Sequence, residues 1–455
     1  MIKPALALAA LFTLTACPQP GPTDGGTGGG TGGGATTTGG GGTTTGGGGA
    51  TGGGGGTTGG GGATGGGSAG PFDAGHLNCT FTAPFVLEEG LANFPTAQVA
   101  VTEQGEAIYA WNTPMGVKWV VQSPSGAVGT ALNDATGGLL LGSGLVARGD
   151  RALLVFGSTT PEVRVRRYRA GSGWAAPESA PPTPTSLSVI LAGLEPSGAA
   201  SIWRQDSNGG AFFEVTSDGT SAFGNVHDIA DAGFPYAVAR ANGTRLAVTL
   251  KSFTGVDKPE LIVSTSSGDQ RIPMQTAVLT GNDYFRVSLA DDGTAIVAGA
   301  FNTSGIEGVG VMARTGTAAF GAVQMLNGDG GMFMSRTVGT VAGPGGIGAV
   351  VWWDDGHLFI SRRSGSTFGP AQLLTDTDQV IPRTTQISGS RILVSFYATN
   401  GTPSFIEVTA DGAGPVTPTS APYSTEFAAG GTQAASVIGE QDSDGGWILR
   451  AAQCR

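Results

Sequence analysis

Charge is scarce in this chain and positive charge scarcer. Only 13% of its 455 residues are ionic, with 23 Lys and Arg against 34 Asp and Glu and a net charge of -11. Phosphate recognition needs clustered Lys and Arg, so this balance argues against a nucleic-acid partner. The basic cluster Arg164, Arg166, Arg167 and Arg169 lies in a strand-like run, VRVRRYR, whose alternation splits the four between two faces. It is read as solvated strand surface. Histidine is rare too. His76, His227 and His357 are far apart without metal-ligand spacing, so neither a metal site nor a cofactor is expected. His357, in Asp354-Asp355-Gly356-His357, reads as an exposed turn residue. There are three cysteines and no Gly-x-Ser-x-Gly elbow. Once the cysteines are placed as below, no thiol is left for covalent catalysis.

Glycine, by contrast, is abundant at 82 residues. Residues 21–70 are almost wholly Gly and Thr and cannot bury enough apolar surface to fold. They read as a tether with a typical span of about 40 Å. No strand precedes these glycines and no Gly-Lys-Ser/Thr follows, so they are not a phosphate loop. Ahead of them, Lys3 and the apolar stretch ALALAALFTL, too short to cross a bilayer, form an export signal. It ends in Leu14-Thr15-Ala16-Cys17, which resembles the lipobox of bacterial lipoproteins. That resemblance implies cleavage before Cys17, diacylglycerol on its sulfur and a stable acyl anchor. Pro18 follows, with no Asp of the kind linked to inner-membrane retention, which favours the outer membrane and leaves its periplasmic or surface side open. The organisation is a signal peptide at 1–16, lipidated Cys17 with a tether through residue 70, and a folded region at 71–455.

The folded region repeats one pattern. Residues 335–375 contain four short strand-like runs, RTVGTVA, GIGAVVWWD, HLFISRR and FGPAQLLT, separated by turn residues. Weaker copies recur at about 47 residues, each with a glycine turn between its first and second runs: EQGE, ARGDR, PSGA, ANGTR, DDGT, GPGG and SGSR. The second run is the most apolar, as expected of a strand packed on both faces. An all-β propeller of about eight four-stranded blades is predicted, with seven as the alternative. Trp352 and Trp353 alternate across the second run of the clearest unit and read as core.

The last unit has three strands, and CTFTAPFVLEEG at the start of the folded region is a strand without a neighbour. Pairing the two completes the final blade and removes an open edge. The same pairing sets Cys79, at the start of that strand, beside Cys454, at the end of the third strand, and an exported protein oxidises such a pair.

The connections between blades and the turns between second and third strands share one face of a propeller. Glu88, Glu89, Asp134, Asp228, Asp231, Asp283, Asp329, Asp376 and Asp378 fall there, with Phe94, Phe234, Tyr236, Tyr284, Phe285 and Phe333 close by. Acidic and aromatic groups around a channel suit a sugar or a cation, though Asp is also an ordinary turn former. The ligand-face candidates are Asp231, Phe234, Tyr236, Asp283, Tyr284, Asp376, Asp378 and Arg383.

Runs such as RYRAGSGW and SRRSGSTF resemble the sialidase-like, Asp-box group of propellers. The segment nearest an Asp box, Ser443-Asp444-Gly445-Gly446-Trp447, has its Asp and Gly out of register. The resemblance implies a site with three Arg gripping a carboxylate, a Tyr nucleophile with a Glu partner and an Asp acid. Arg240, Arg286, Arg336 and Arg383 read as lying near the starts of first strands, but no Tyr and Glu pair stands out. The expected function is therefore a monomeric, membrane-anchored, non-enzymatic propeller recognising a protein or glycan, with a sialidase-like glycoside hydrolase as the alternative. Metabolic labelling with an alkyne fatty acid is expected to mark the chain and to fail on Cys17→Ala; label retained by the variant would contradict the anchor.

Overall fold

The computed structural model describes residue 77 and residues 79–454. Excepted are 94, 135–137, 141, 143, 158–161, 183–186, 207–211, 230–233, 254–255, 275–284, 304–305, 328–335, 378–382, 389–390, 400–402, 411 and 419–423. The leader, Cys17 and the tether lie outside the described residues. Ser68–Arg455 forms one compact unit.

Eight antiparallel sheets follow one another around a ring, each a meander of four strand positions. Blade 1 is representative: Ala97–Val101, Ala107–Thr113, Gly116–Gln122 and Leu132–Asp134 pair in sequence order. The innermost strands of blades 2 to 8 are Leu145–Arg148, Leu187–Leu194, Phe234–Ala241, Arg286–Leu289, Arg336–Ala342, Arg383–Ser388 and Ser424–Gly430. The count is eight, not the alternative seven. Blade 6 matches the sequence pattern closely, with strands Arg336–Ala342, Gly348–Asp354, His357–Ser364 and Gln372–Asp376. Its outermost position is broken, because a short Thr367–Phe368 segment pairs first and Pro370, which has no N–H to give the ladder, interrupts it. Pro177 in blade 2 and Pro415 in blade 7 stand in the same breaks.

Each pair of adjacent blades shares an apolar seam, from Ile108, Trp119, Leu154 and Phe156 between blades 1 and 2 to Tyr109, Trp111, Val437 and Leu449 between blades 8 and 1. The second strand lies at the middle of this packing: Ala152 to Phe156 are all at most 2% exposed. Close approach fixes some residue choices. A Cβ on Gly299 would sit 2.3 Å from the ring of Phe285, itself enclosed against Phe301 at 5.8 Å. Trp352 is buried and stacks on Phe359 at 5.7 Å, while Trp353 is half-buried and donates its indole N–H to Thr377 Oγ1 at 3.2 Å.

Closure follows the predicted route. Phe85–Leu91 pairs antiparallel with Trp447–Cys454 as the outer strand of blade 8, in register Phe85 with Ala451 and Leu91 with Trp447. Upstream, Phe81 bridges to Cys454 and Thr82 donates to the carbonyl of Gln453 at 2.9 Å. The Cys79–Cys454 disulfide joins these segments with Cα atoms 5.3 Å apart, across 375 residues of sequence. Phe81 packs edge-on against Phe405 of blade 7 and Phe427 of blade 8, and the N–H of Leu77 donates to Glu407 Oε2 at 2.7 Å. The clasp therefore grips two blades.

Loop entropy alone would make the crosslink worth about 6 kcal/mol, and losses of about 2–5 kcal/mol are usual when such bonds are removed. The Cys79→Ser, Cys454→Ser double variant is expected to lose stability in that lower range in guanidinium titrations. A midpoint equal to that of the oxidised protein would show that the bond contributes nothing.

Candidate binding face

The two ends of the ring differ in what seals them. At one end lie the turns joining first to second strands and third to fourth strands; at the other lie the second-to-third hairpins and the connections between blades. The first end is heavily bonded. Arg148, at the end of the inner strand of blade 2, donates from Nη1 to the carbonyl of Arg240 in blade 4 and from Nη2 to Asp291 Oδ1 in blade 5, both at 2.8 Å. Asn242 of blade 4 donates to the Asp291 carbonyl at 3.2 Å. Blade 2 neighbours neither blade 4 nor blade 5, so these bonds cross the interior of the ring at the turn end.

Around these bonds, long polar side chains tie several blades to a neighbour, mostly through carbonyls at or beside the turns. Arg167 of blade 2 donates to Gly198 O at 3.2 Å and to Ser217 Oγ at 2.8 Å in blade 3. Arg391 of blade 7 reaches Gly431 O of blade 8 at 2.7 Å, and Gln453 of blade 8 reaches Gly105 O of blade 1 at 3.1 Å. Arg363 of blade 6 donates to Arg314 O and Thr315 Oγ1 of blade 5, both at 3.1 Å.

The VRVRRYR run is thereby corrected. Its arginines are not simply solvated: Arg164 pairs with buried Asp134 at 3.5 Å, Arg166 lies 5.2 Å from the centre of the Trp119 ring in blade 1, and Arg167 lies 4.8 Å from that of Phe223 in blade 3. Only Arg169, paired with Asp150 at 2.7 Å, is exposed. Alternation gave the right faces, but each face of a propeller blade abuts another blade, so partial burial follows.

A Tyr and Glu pair does occur, where the sequence offered none. Tyr168 of blade 2 donates its hydroxyl to Glu106 Oε2 of blade 1 at 2.9 Å. Burial first, and then the Glu106 carboxylate, hold the phenol well above its ordinary pKa, the direction opposite to activation as a nucleophile. Glu106 follows the blade 1 turn, so the pair is another blade-to-blade bond at the turn end. Arg240 also changes place: it stands next to the last residue of its inner strand, at the turn end, with Nε 2.9 Å from Glu195 Oε1. Arg286, Arg336 and Arg383 are the first residues of the inner strands of three successive blades, at the connection end. In the turn nearest an Asp box, the organising side chain is Asp442, whose Oδ1 accepts the N–H groups of Asp444 at 3.0 Å and Gly446 at 2.7 Å.

Of the ligand-face candidates, Asp231, Asp283, Tyr284 and Asp378 lie outside the described residues. Phe234 and Tyr236 belong to the inner strand of blade 4 and Arg383 to that of blade 7. Asp376 ends the outer strand of blade 6, exposed, with Oδ1 2.9 Å from His357 Nδ1. His227 makes a similar outer contact, 3.2 Å from Asp269 Oδ2. Of the wider set, Glu88 is held by Lys118 at 2.8 Å, Phe285 is buried, and Phe94, Asp329 and Phe333 lie outside the described residues. Among the described residues, no three His, Cys, Asp or Glu side chains group to hold a metal ion.

No family model matches the chain, and no curated protein matches it. Solved structures do. The BP39L lectin from Burkholderia pseudomallei aligns with a TM-score of 0.47 at 12% identity, over 73% of this chain and 100% of the lectin. Puromycin hydrolase aligns at 0.44 and 16% identity over 79% of this chain, and prolyl oligopeptidase B from Galerina marginata at 0.45 and 8% over 80%. This chain spans only 58% and 56% of those two enzymes. At such identities the likeness concerns fold alone.

The turn-end bonds carry a pH dependence. Burial raises the Asp292 pKa, but the N–H of Gly345 in blade 6 and the N–H and hydroxyl of Thr294 outweigh it, so the folded value lies below the ordinary one. A depressed folded pKa gives stability that is present above the unfolded value near 4 and lost as pH falls through the folded one. Asp292→Asn is expected to flatten the thermal-stability profile below about pH 4; a profile with unchanged slope would contradict this assignment.

Proposed function

We propose that this chain is a lipid-anchored, non-enzymatic propeller of the bacterial outer membrane that binds a protein or glycan at its connection end. The supporting observation is Arg148: by bonding to blades 4 and 5 it crosses the interior of the ring at the turn end, which favours the opposite mouth as the way in. Phe234, Tyr236 and Arg383 belong to inner strands, and the described pairs Tyr168–Glu106 and Arg240–Glu195 at the turn end are occupied in holding blades together. Cys17 supplies the membrane attachment, and the Gly/Thr tether gives the propeller reach from the lipid surface.

One observation favours the alternative, a sialidase-like glycoside hydrolase. Arg286, Arg336 and Arg383 open the inner strands of blades 5, 6 and 7 side by side. Such a row of guanidinium-bearing residues suits a carboxylated sugar, whether it is bound or cleaved.

Glycan-array binding of the fragment from residue 71 decides between these readings when paired with a fluorogenic sialoside assay. Saturable binding without turnover, weakened by Asp376→Asn or Phe234→Ala, is the expected result. Turnover that is lost in Arg336→Ala would overturn the non-enzymatic reading. Protease shaving of intact cells reports which side of the membrane the propeller faces.

A further inference from the structure

Closing the ring still leaves each blade an outermost strand, whose outward N–H and C=O groups can pair with another chain. Most of these edges are short or interrupted. Among the described residues, the outer strands of blades 1, 3 and 5 are Leu132–Asp134, Asn225–Asp228 and Gln324–Met325. Those of blades 2, 6 and 7 are broken at Pro177, Pro370 and Pro415, and that of blade 8 shifts register twice. Blade 4 is different. Its outer strand, Gly268–Pro273, pairs residue for residue with the third strand, Val256–Thr265, over 6 residues without a shift. All of them are exposed except Ile272, which is half-buried.

Antiparallel ladders alternate between residues that bond to the neighbouring strand and residues that bond away from it. Met274 donates its N–H to the Pro259 carbonyl at 3.1 Å, which puts Ile272, Gln270 and Gly268 in the inward-bonding set. The main-chain groups of Asp269 and Arg271 therefore point out from the blade. Their side chains lie on one face of the strand and are held there, Asp269 by His227 of blade 3 at 3.2 Å and Arg271 by Glu260 of its own blade at 3.0 Å. The sequence Asp269-Gln270-Arg271 is self-complementary when run antiparallel to itself. A two-fold at Gln270 sets Asp269 opposite Arg271 on both sides, the favourable cross-strand pairing of charge. Centring it on either charged residue would instead set like charges face to face.

We propose that a second copy of this chain docks on the outer edge of blade 4, antiparallel and centred on Gln270. Asp269 donates its N–H to the carbonyl of the partner's Arg271 and accepts from that residue's N–H, and the two-fold repeats the exchange. Pro273 has no N–H and ends the ladder, so the contact is isologous and closes at two chains. In this reading the chain is a dimer, rather than the monomer expected from its sequence. The contact lies on the rim of the propeller and does not depend on what the central mouth binds.

A single cysteine reads the register. Directly opposed residues that do not exchange ladder bonds stand about 4.5 Å apart at Cα, within the roughly 4.4–6.8 Å that a disulfide spans. The full chain carrying Gln270→Cys is oxidised mildly and compared with wild type on a non-reducing gel. A product of twice the chain mass is expected, with roughly 10-fold less from Asp269→Cys, which has Arg271 rather than itself across the two-fold. Adding Arg271→Pro to Gln270→Cys removes an outward N–H but no inward ladder bond, and is expected to lower the product as far. Adding Arg271→Glu lowers it by like-charge repulsion, and Asp269→Arg on top of that restores it. No more product from Gln270→Cys than from wild type overturns the proposal. So does an equal yield from Asp269→Cys, a yield unmoved by Arg271→Pro, or a charge exchange that fails to restore it. A crosslink to a protein of another mass in place of a second copy gives the edge to a foreign strand, and overturns the self-pairing as well.

Discussion

A ring of blades closes only if the two ends of the chain meet in one sheet, and here that meeting is a single antiparallel pairing. Phe85–Leu91 lies along Trp447–Cys454, whereas every other blade is a meander of strands close together in sequence. Without that pairing, blade 8 would expose the N–H and C=O groups of its third strand, an invitation to edge-to-edge association. The disulfide, the aromatic contacts of Phe81 and the bond from Leu77 to Glu407 all act on the segment just ahead of this strand. Closure therefore comes from contacts remote in sequence, while most of the remaining pairing is between consecutive strands.

Inside the closed ring, each seam combines apolar packing with a few directed bonds. The apolar packing by itself is non-directional. The bonds from Arg167, Arg391 and Gln453 to turn carbonyls of the next blade fix the relative height of neighbours, since each donor matches one acceptor. Arg148 adds bonds between blades that are not neighbours, from blade 2 to blades 4 and 5. Among the described residues, these turn-end bonds hold blades together, which is the ground for proposing the other end as the binding face.

Much of the fold was legible in the sequence, and for identifiable reasons. Blade boundaries follow from the glycine turn before each apolar second strand, and the split final blade follows from counting three strands at one end and one at the other. The cysteines then had only one arrangement that used both. What escaped was tertiary. The strand period gave the two faces of VRVRRYR, but that both faces meet other blades depends on ring closure. The Arg148 bonds could not be seen, because their partners lie on other blades and no local spacing marks them. Arg240 was misplaced: in Phe234–Ala241 it is the seventh of eight residues, directly before the Asn242-Gly243 turn, and so lies near the finish of its strand. The candidate ligand face was legible only as composition: acids and aromatics in connections, where turn formation alone also places Asp.

The most direct test of closure is native-state hydrogen exchange along the two paired strands. If Phe85–Leu91 is an integral strand of blade 8, its ladder amides exchange as slowly as those of Trp447–Cys454 and lose protection together with them as denaturant rises. Rapid exchange of Phe85–Leu91, with Trp447–Cys454 still protected, would show that the ring holds without its N-terminal strand and would contradict the account.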